Sequence, residues 1–330
     1  MSAAFVGLID LASERLGGAV VAANDEFFAA KENLIKAAAP VWREGEYTER
    51  GKWMDGWETR RRRDLGPQAH DWCIVRLGGR GIVRGVDVQT AFFTGNYPES
   101  CAIDACDLPG GATVEQLLQA PWRELLARSP LAGDAHHLPA VAPAPAATHL
   151  RLRIYPDGGV ARLRVHGEVV ADWERLRRQG DVDLGAAEHG GTVVACSDMF
   201  YGSRHNLIMP GDATHMGDGW ETRRRRGPGH DWTIVRLGAE GTIRRVDVDT
   251  RHFKGNAPGA CSLEAARLDP GQALDRADWQ ELLPHTPLQP HARHAFEEAL
   301  RAAGDVTHAR LNIFPDGGIA RLRLWGRPRS

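Results

Sequence analysis

The sequence predicts an all-β protein built from two tandem β-sandwiches with a few peripheral helices. The first observation is a repeat, because the octapeptide GWETRRRR at residues 56–63 recurs unchanged at residues 219–226. An identity of this length within one chain indicates a duplicated unit. The second observation is that short alternating or apolar segments between glycine-rich turns dominate each copy, without regular alternation of strands and helices. This pattern favours sandwiches over a doubly wound sheet.

The repeat covers nearly the whole chain and sets the predicted domain boundaries. The motif HDW-x-IVRLG begins at His70 and again at His230, and each copy later contains the turn PDGG. Copies of about 150 residues have the size of ordinary single domains. The predicted organisation is a tail, a first sandwich, a linker and a second sandwich, at residues 1–8, 9–167, 168–181 and 182–330.

The first copy is longer than the second ahead of its central motif. The separation of equivalent residues is 173 for Asp10 and Asp183 but 163 for Gly56 and Gly219. Ten additional residues therefore lie between Ile35 and Gly56 in the first copy. Because surface loops tolerate changes of length, we expect these residues to form a loop.

Strands are predicted wherever apolar residues alternate with polar ones or form short blocks between glycines. Clear examples lie at residues 74–77, 82–88 and 150–154. Helical patterns are few. They predict peripheral helices or connectors at residues 114–127, 172–180, 278–283 and 290–303.

A hairpin is predicted around the PDGG turn of each copy. In the first copy, the strand before the turn alternates apolar residues with arginines. After the turn, Ala161, Leu163 and Val165 continue the apolar face, and Arg162 and Arg164 continue the charged one. The pattern predicts two paired strands with one face in the core and the arginine face in water.

Composition and charge exclude several classes of protein. The net charge of −2 provides no basic field for nucleic acid, and no apolar run is long enough to span a membrane. The first residues lack the order of basic and apolar segments found in signal peptides. The five cysteines contain no CxxC pair, which predicts reduced thiols in a cytoplasmic protein.

Four motifs occur in the same order in both copies: DGWETRRRR, HDW-x-IVRLG, GN-x-P and an isoleucine followed by tyrosine or phenylalanine and PDGG. Together they resemble the repeat of the allantoicase family, over about residues 9–326. The resemblance implies two jelly-roll β-sandwiches of the galactose-binding or discoidin-like type. It also implies hydrolysis of allantoate to ureidoglycolate and urea in purine degradation, and a homo-oligomer, since hexamers occur among related members.

The implied substrate defines the chemistry that the site must supply. Allantoate is a carboxylate whose central carbon carries two ureido groups, and release of intact urea breaks a bond from that carbon to nitrogen. A general acid must protonate the departing nitrogen, a base must direct water, and cations must hold the carboxylate. The sequence contains no HExxH or CxxC motif, so no metal and no other cofactor is predicted.

The charged and polar residues that occur in both copies are the candidates for these roles. The predicted catalytic residues are His230, Glu221, His70, Glu58, Asp198 and Asp25. The predicted substrate-binding residues are Arg223, Arg225, Arg60, Arg62, Asn256 and Asn96.

Strand alternation would place Glu221, Arg223 and Arg225 on one face, with Trp220 in the core. Neighbouring arginines would lower the pKa of Glu221, so His230 is assigned as the proton donor and Glu221 as an orienting group.

Several alternatives stay open from the sequence alone. Asp55 and Asp218 precede glycines and are expected to form turns, and the repeated asparagines are common turn formers. A tandem discoidin-like module that binds carbohydrate without catalysis is a second hypothesis for the whole chain. A metal-dependent amidohydrolase that releases ammonia is a third, although it would need clustered ligands. The sequence does not decide which repeat holds the site.

Overall fold

The structure is a computed structural model that describes residues 3–64 and 66–329. The chain divides between Val170 and Ala171 into two compact units, each containing one copy of the repeat. The division lies in the segment predicted as a linker. Among the described residues, no helix has the length and apolar character needed to cross a membrane.

Strands are the main regular elements of the first unit. Its strands are β1 Ile9–Asp10, β2 Ala19–Ala23, β3 Tyr47–Thr48, β4 Gly51–Lys52, β5 Trp57–Glu58, β6 Asp71–Gln89, β7 Ser100–Cys106, β8 Arg123–Pro130, β9 His136–His137, β10 Ala147–Tyr155, β11 Gly159–Val160 and β12 Arg162–Val169. Its helices are the short α1 at Val114–Leu118 and 3-10 turns at Ala4–Gly7, Glu14–Leu16 and Lys31–Ile35.

The second unit repeats this arrangement. Its strands are β13 Val182–Asp183, β14 Thr192–Cys196, β15 Trp220–Glu221, β16 Asp231–Asp249, β17 Ala260–Ala266, β18 Gln280–Pro287, β19 Arg293–Phe296, β20 Val306–Phe314, β21 Gly318–Ile319 and β22 Arg321–Pro328. Its helices are α2 at Trp173–Arg177 and 3-10 turns at Ala187–His189, Arg204–Ile208, Met216–Asp218 and Leu274–Arg276.

A single long strand organises each unit. In the first unit the strand order is β1-β12-β6-β10-β7-β8, and β2 and β9 also pair with β6. The first half of β6 pairs with β10 and β2, whereas its second half pairs with β12 and β9. The second unit has the same order, with β16 as the long strand. Both halves of each unit therefore share one continuous strand. The prediction of an all-β protein is confirmed.

The predicted hairpin is wrong, although its strands and apolar faces are present. β10 and β12 do not pair with each other, because each pairs with a different half of β6. The turn instead carries the chain from one half of the sheet to the other. Leu163 and Val165 are fully buried as expected, but Arg162 is buried as well. Its Nη2 lies 2.8 Å from Oδ2 of Asp55, so the carboxylate predicted to form a turn neutralises a buried guanidinium.

Three of the four predicted helices are also wrong in whole or in part. Residues 114–127 contain only the five-residue α1 before β8 begins at Arg123. Residues 280–283 belong to β18, and residues 293–296 belong to β19. Pairing with β17 and β16, which the local apolar pattern does not encode, determines these segments. The prediction for residues 172–180 corresponds to α2.

The second glycine of the PDGG turn is required by close packing. A Cβ atom at Gly159 would overlap the ring of Phe93, which is fully buried. Gly158 adopts φ +132°, a conformation that side chains rarely allow. The turn therefore packs closely against the Phe93 ring, and this contact restrains strand β11, which begins at Gly159.

We expect Gly159→Ala to lower the free energy of unfolding by about 1–3 kcal/mol, because the added methyl group must displace Phe93. The measurement is the shift in the midpoint of urea unfolding at constant m-value. Gly111→Ala is the control, since a Cβ there meets no atom within 4 Å. Equal stability of the two variants would contradict the packing described for the turn.

Candidate active site

A cavity of about 1460 Å³ opens in the first unit beside the arginine-rich segment. Four parts of the chain contribute to its walls: the residues after β2, the residues from the end of β5 onward, the GN-x-P turn and the PDGG turn. The lining includes five of the six site residues predicted for the first repeat, namely Asp25, Glu58, Arg60, Arg62 and Asn96. His70 is the exception.

Glu58 is a buried carboxyl group of this cavity, and no cation pairs with it in the described structure. Strand pairing places it against Gly159, whose N–H donates to the Asn96 carbonyl at 2.7 Å. Asn96 Nδ2 also donates to Glu58 Oε1 at 2.7 Å. Only 8% of Glu58 is exposed, and this burial raises the pKa of its carboxyl group, partly offset by the Asn96 hydrogen bond. Glu58 is therefore suited to carry a proton into the cavity.

Asp25 supports the arginine segment from the opposite wall. Its Oδ1 accepts the backbone N–H groups of Phe27 and Arg60 at 3.1 and 2.9 Å. Its Oδ2 lies 2.7 Å from Arg60 Nε. Burial opposes ionisation, but these hydrogen bonds outweigh it and hold the pKa of Asp25 below its usual value. Trp57, fully buried, fixes the same loop by donating Nε1–H to the Asp25 carbonyl at 2.8 Å.

Arg62 is held as firmly as Arg60. Its Nη1 lies 2.6 Å from Oδ1 of the buried Asp71, and its Nη2 lies 2.7 Å from Oδ2 of Asp64. Its backbone N–H donates to Asp157 Oδ2 in the PDGG turn at 2.8 Å. A guanidinium with two carboxylate partners has little capacity left for a ligand. Arg62 therefore lines the cavity with its guanidinium already engaged, and its role in substrate binding stays a prediction.

The other two arginines of the segment carry the free positive charge. Arg61 and Arg63 both line the cavity and are exposed. Neither guanidinium has a hydrogen bond or ion pair among residues 3–64 and 66–329. Strand β5 ends at Glu58, so the strand alternation used to select Arg60 and Arg62 does not extend to them. Arg61 and Arg63 are thus the cations of the segment that have no carboxylate partner in the described residues.

His70 lies outside the cavity. Its Nδ1 contacts the Gln68 carbonyl at 2.7 Å, and its ring packs against that of Tyr155 with centroids 5.3 Å apart. Nδ1 must carry the proton to bond a carbonyl, which commits one ring nitrogen to a structural role. The prediction that this histidine donates the catalytic proton does not agree with its position. Glu58, by contrast, lines the cavity.

The second repeat preserves the same hydrogen bonds with different exposure. Asn256 Nδ2 donates to Glu221 Oε1 at 2.6 Å, as Asn96 does to Glu58. Glu221, however, is half-buried where Glu58 is buried. Strand β15 ends at Glu221, so the predicted common face with the arginines is absent here too.

The arginines of the second repeat divide in the same way. Arg223 Nε lies 3.5 Å from Asp198 Oδ2, and its guanidinium stacks on Phe200. Arg225 pairs with the buried Asp231. The second and fourth arginines of the run, Arg224 and Arg226, are exposed and have no partner in the described part of the chain.

The described contacts of His230 are also made away from Glu221 and the arginines. Its Nε2 lies 3.2 Å from Asn312 Oδ1, and its ring centroid is 4.6 Å from that of Phe314. No described contact joins His230 to Glu221 or to the arginines. The two histidines thus keep equivalent positions against an aromatic ring in both repeats, which explains why they recur together.

Sequence reasoning missed two features of the site. The aspartates of the PDGG turns, Asp157 and Asp316, accept the backbone N–H of the third arginine in each run, both at 2.8 Å. Sequence reasoning also selected the first and third arginines as ligands without showing that the second and fourth are the ones with no carboxylate partner in the described residues. The two copies are identical at all four arginines and at both aspartates, so the repeat marked these residues. It did not show in which direction their side chains point.

The described residues form neither a metal-ligand cluster nor a disulfide. Within the described ranges, no three His, Cys, Asp or Glu side chains are grouped to hold a metal ion. All five cysteines are free, and four of them are buried. Burial raises the pKa of the Cys106 thiol to about 11, so it stays protonated at neutral pH.

Comparison with known proteins gives concordant matches. The model of the allantoicase repeat matches residues 9–170 and 182–329. The chain is 50% identical to a probable allantoicase of Pseudomonas aeruginosa strain LESB58, over 99% of this chain and 98% of that protein. It is 48% identical to a probable allantoicase of Photobacterium profundum, over 98% and 97% of the two chains. The crystal structure of allantoicase from Saccharomyces cerevisiae superposes with a TM-score of 0.81 at 34% identity, covering 96% of this chain and 92% of that one.

The fold and the site define a duplicated β-sandwich protein in which a buried carboxyl group and free arginines face one cavity. The family model matches both repeats, and a relative is 50% identical over 99% of this chain. These two findings identify the family. The chain belongs to the allantoicase family. This membership does not favour the alternative hypothesis of a tandem carbohydrate-binding module.

Proposed function

We propose that this protein hydrolyses allantoate to ureidoglycolate and urea, as a hydrolase acting on carbon–nitrogen bonds other than peptide bonds in linear amidines. The observation that carries the proposal is the cavity of the first repeat. There a buried Glu58, whose pKa burial raises, lines the same space as Arg61 and Arg63. Family membership supplies the substrate, and the cavity supplies the acid and the cations that its cleavage requires.

Binding begins at the carboxylate of the substrate. Arg61 and Arg63 present guanidinium groups that have no partner within the described ranges, and such groups form strong charge-assisted hydrogen bonds to a carboxylate. Asp25, Asp64 and Asp71 already neutralise Arg60 and Arg62, and so they keep the segment in place without competing for the substrate. Asn96 orients the Glu58 carboxyl group toward the central carbon.

The bond between the central carbon and one ureido nitrogen then breaks. Glu58 transfers its proton to that nitrogen, and the bonding electrons leave with it as neutral urea. The lone pair of the remaining ureido nitrogen forms a double bond to the carbon, which becomes a cationic imine. The carboxylate of the substrate stays paired with the arginines throughout this step.

A water molecule completes the reaction, and Glu58 now acts as the base. The carboxylate of Glu58, now ionised, accepts a proton from a water molecule as the water oxygen bonds to the imine carbon. The carbon–nitrogen double bond returns its electrons to nitrogen, which gives ureidoglycolate and restores protonated Glu58. One group thus serves first as acid and then as base, consistent with a carboxyl group whose pKa is raised by burial.

Further properties follow as parts of the proposal. The free cysteines support a reducing, cytoplasmic location, and the net charge of −2 supports no nucleic-acid partner. A homo-oligomer, with a hexamer as the candidate assembly, is supported by exposed apolar side chains on the second unit, at Met199, Phe200 and Tyr201.

Incubation of the protein with allantoate is expected to release one urea for each ureidoglycolate, with no ammonia. Separate assays of urea, ammonia and ureidoglycolate measure this, because cleavage at the central carbon leaves the urea carbonyl intact. Repeating the assay with a chelator tests the prediction that no metal is required. Ammonia produced at the rate of substrate loss would contradict the proposed reaction.

A further inference from the structure

The ten additional residues of the first repeat form part of a second cavity. Residues 36–55 include the hairpin of β3 and β4, whereas the equivalent segment of the second repeat, residues 209–218, is half as long. The second cavity, hereafter the side cavity, has a volume of about 360 Å³. Trp42, Lys52 and Met54 from the longer segment contribute to its lining.

Flat apolar surfaces form the walls of the side cavity. The rings of Trp42 and Phe92 lie with centroids 5.9 Å apart and planes inclined by 35°, and Phe28 lines the same space. Lys52 Nζ lies 4.1 Å from the Trp42 ring centroid, a cation–π contact that holds the ring in place. Planar groups of low charge are the ligands that such walls accept.

Glu58 and Asn96 stand at the junction of the two cavities. Both residues line the main cavity and the side cavity. The free arginines line only the main cavity, whereas Trp42 and Phe92 line only the side cavity. A molecule reacting at Glu58 therefore has a cationic region on one side and an aromatic region on the other.

The second repeat differs at this position. Its shorter segment brings Met216 Sδ within 3.3 Å of Asn256 Nδ2, the amide that also bonds Glu221. Met216 thus covers the asparagine where the first repeat has the side cavity. The longer segment is therefore associated with two local properties together, the burial of Glu58 and the aromatic walls beside it.

We propose that the side cavity receives the ureido group that departs as urea, while Arg61 and Arg63 hold the carboxylate in the main cavity. This inference rests on the proposed function. A ureido group is planar and uncharged, so it suits the aromatic walls, and its nitrogen then reaches Glu58 at the junction. The opposite orientation would place the carboxylate against Trp42 and Phe92, away from the arginines. The one lysine of that lining, Lys52, is already engaged by the Trp42 ring.

The volume of the side cavity extends the range of substrates. At about 360 Å³ the side cavity has more room than one ureido group occupies. The site therefore also accepts ureido acids that carry a small alkyl group on the terminal nitrogen. Cleavage of such a substrate releases the alkylurea in place of urea.

The test compares allantoate with its analogue methylated on both terminal ureido nitrogens. Wild-type protein is expected to release methylurea from the analogue, with kcat/KM within about tenfold of that for allantoate. Trp42→Ala is expected to lower kcat/KM for allantoate about tenfold, since it removes one wall, and to raise the preference for the analogue. Trp42→Phe should restore most of the activity.

Tyr47→Ala is the matched control, because Tyr47 lies in the same hairpin, is 70% exposed and does not line the side cavity. It should leave both rates unchanged, and thermal unfolding of each variant verifies folding. Unchanged allantoate kinetics and unchanged preference in folded Trp42→Ala would overturn the role of the side cavity alone. A wild-type protein inert toward allantoate would instead overturn the proposed function.

Discussion

Replacement of Glu58 by glutamine is expected to lower kcat by about 10²- to 10⁴-fold, the usual contribution of a positioned general acid–base group. Glutamine has nearly the same volume and still bonds the Asn96 amide through its carbonyl oxygen, so the walls of the cavity remain. It cannot transfer a proton to the departing nitrogen or take one from water. Steady-state measurement of urea release at saturating allantoate tests this expectation.

The matched control is Glu221→Gln, which removes the equivalent carboxyl group of the second repeat. We expect this variant to keep most of its activity, because Glu221 is more exposed and lacks the aromatic cavity beside it. A large loss in Glu221→Gln with none in Glu58→Gln would place the reaction in the second repeat. Full activity in both variants would show that the repeated glutamates are structural.

The pH profile of kcat gives a second measure of the same group. Burial raises the pKa of Glu58 above the usual glutamate range, so its protonated form persists to higher pH than in an exposed glutamate. Because the acid must be protonated in the substrate complex, kcat should be fully present below this pKa and fall as pH rises through it. Glu58→Gln should lose this alkaline limb and keep a residual, flat rate.

Substitution of Arg61 or Arg63 by glutamine is expected to lower kcat/KM by about 10- to 100-fold, and the double variant by more. Each charge-assisted hydrogen bond contributes on the order of 1.5–3 kcal/mol. The effect should fall mainly on KM, since the carboxylate of the substrate is bound equally in the ground state and the transition state. Arg224→Gln and Arg226→Gln are the matched controls in the second repeat.

Arg62→Gln provides the contrast within the same segment. It would leave the buried Asp71 without its cation, so we expect loss of stability as well as of activity. Arg61→Gln and Arg63→Gln should unfold at the wild-type temperature because neither guanidinium has a partner in the part of the chain that the structure describes. If Arg61 and Arg63 proved dispensable while substitution at Arg60 changed only KM, the original sequence-based choice of ligands would be restored.

The fold class could be predicted because periodicity is a local property. Alternation in β10 and β12 identified the buried faces correctly, since Leu152 and Leu163 are both fully buried. Strand partners are not local, and the adjacent strands joined by the PDGG turn pair with β6 instead of each other. The helix predicted across residues 114–127 failed for the same reason, because β8 pairs with β7.

The candidate site, too, was predictable from repeated residues but not from contacts between distant parts of the chain. Recurrence in both copies identified the glutamate, the asparagine and the arginine run that line the cavity. It could not reveal which arginines are free, because Asp25 and Asp71, which bind Arg60 and Arg62, come from other parts of the chain. The additional residues of the first repeat were expected to be only a loop, yet Trp42 and Lys52 help to form a cavity.

The long strand β6 also has a consequence for the order of folding during synthesis. Val75 pairs with Leu150, and Val86 pairs with Val165, so β6 cannot complete its sheet until almost the whole first repeat has been made. The second repeat later supplies β16, which carries the same IVRLG sequence and could compete for the same partners. Because β10 and β12 emerge from the ribosome before β16 exists, vectorial synthesis favours correct pairing over exchange between copies.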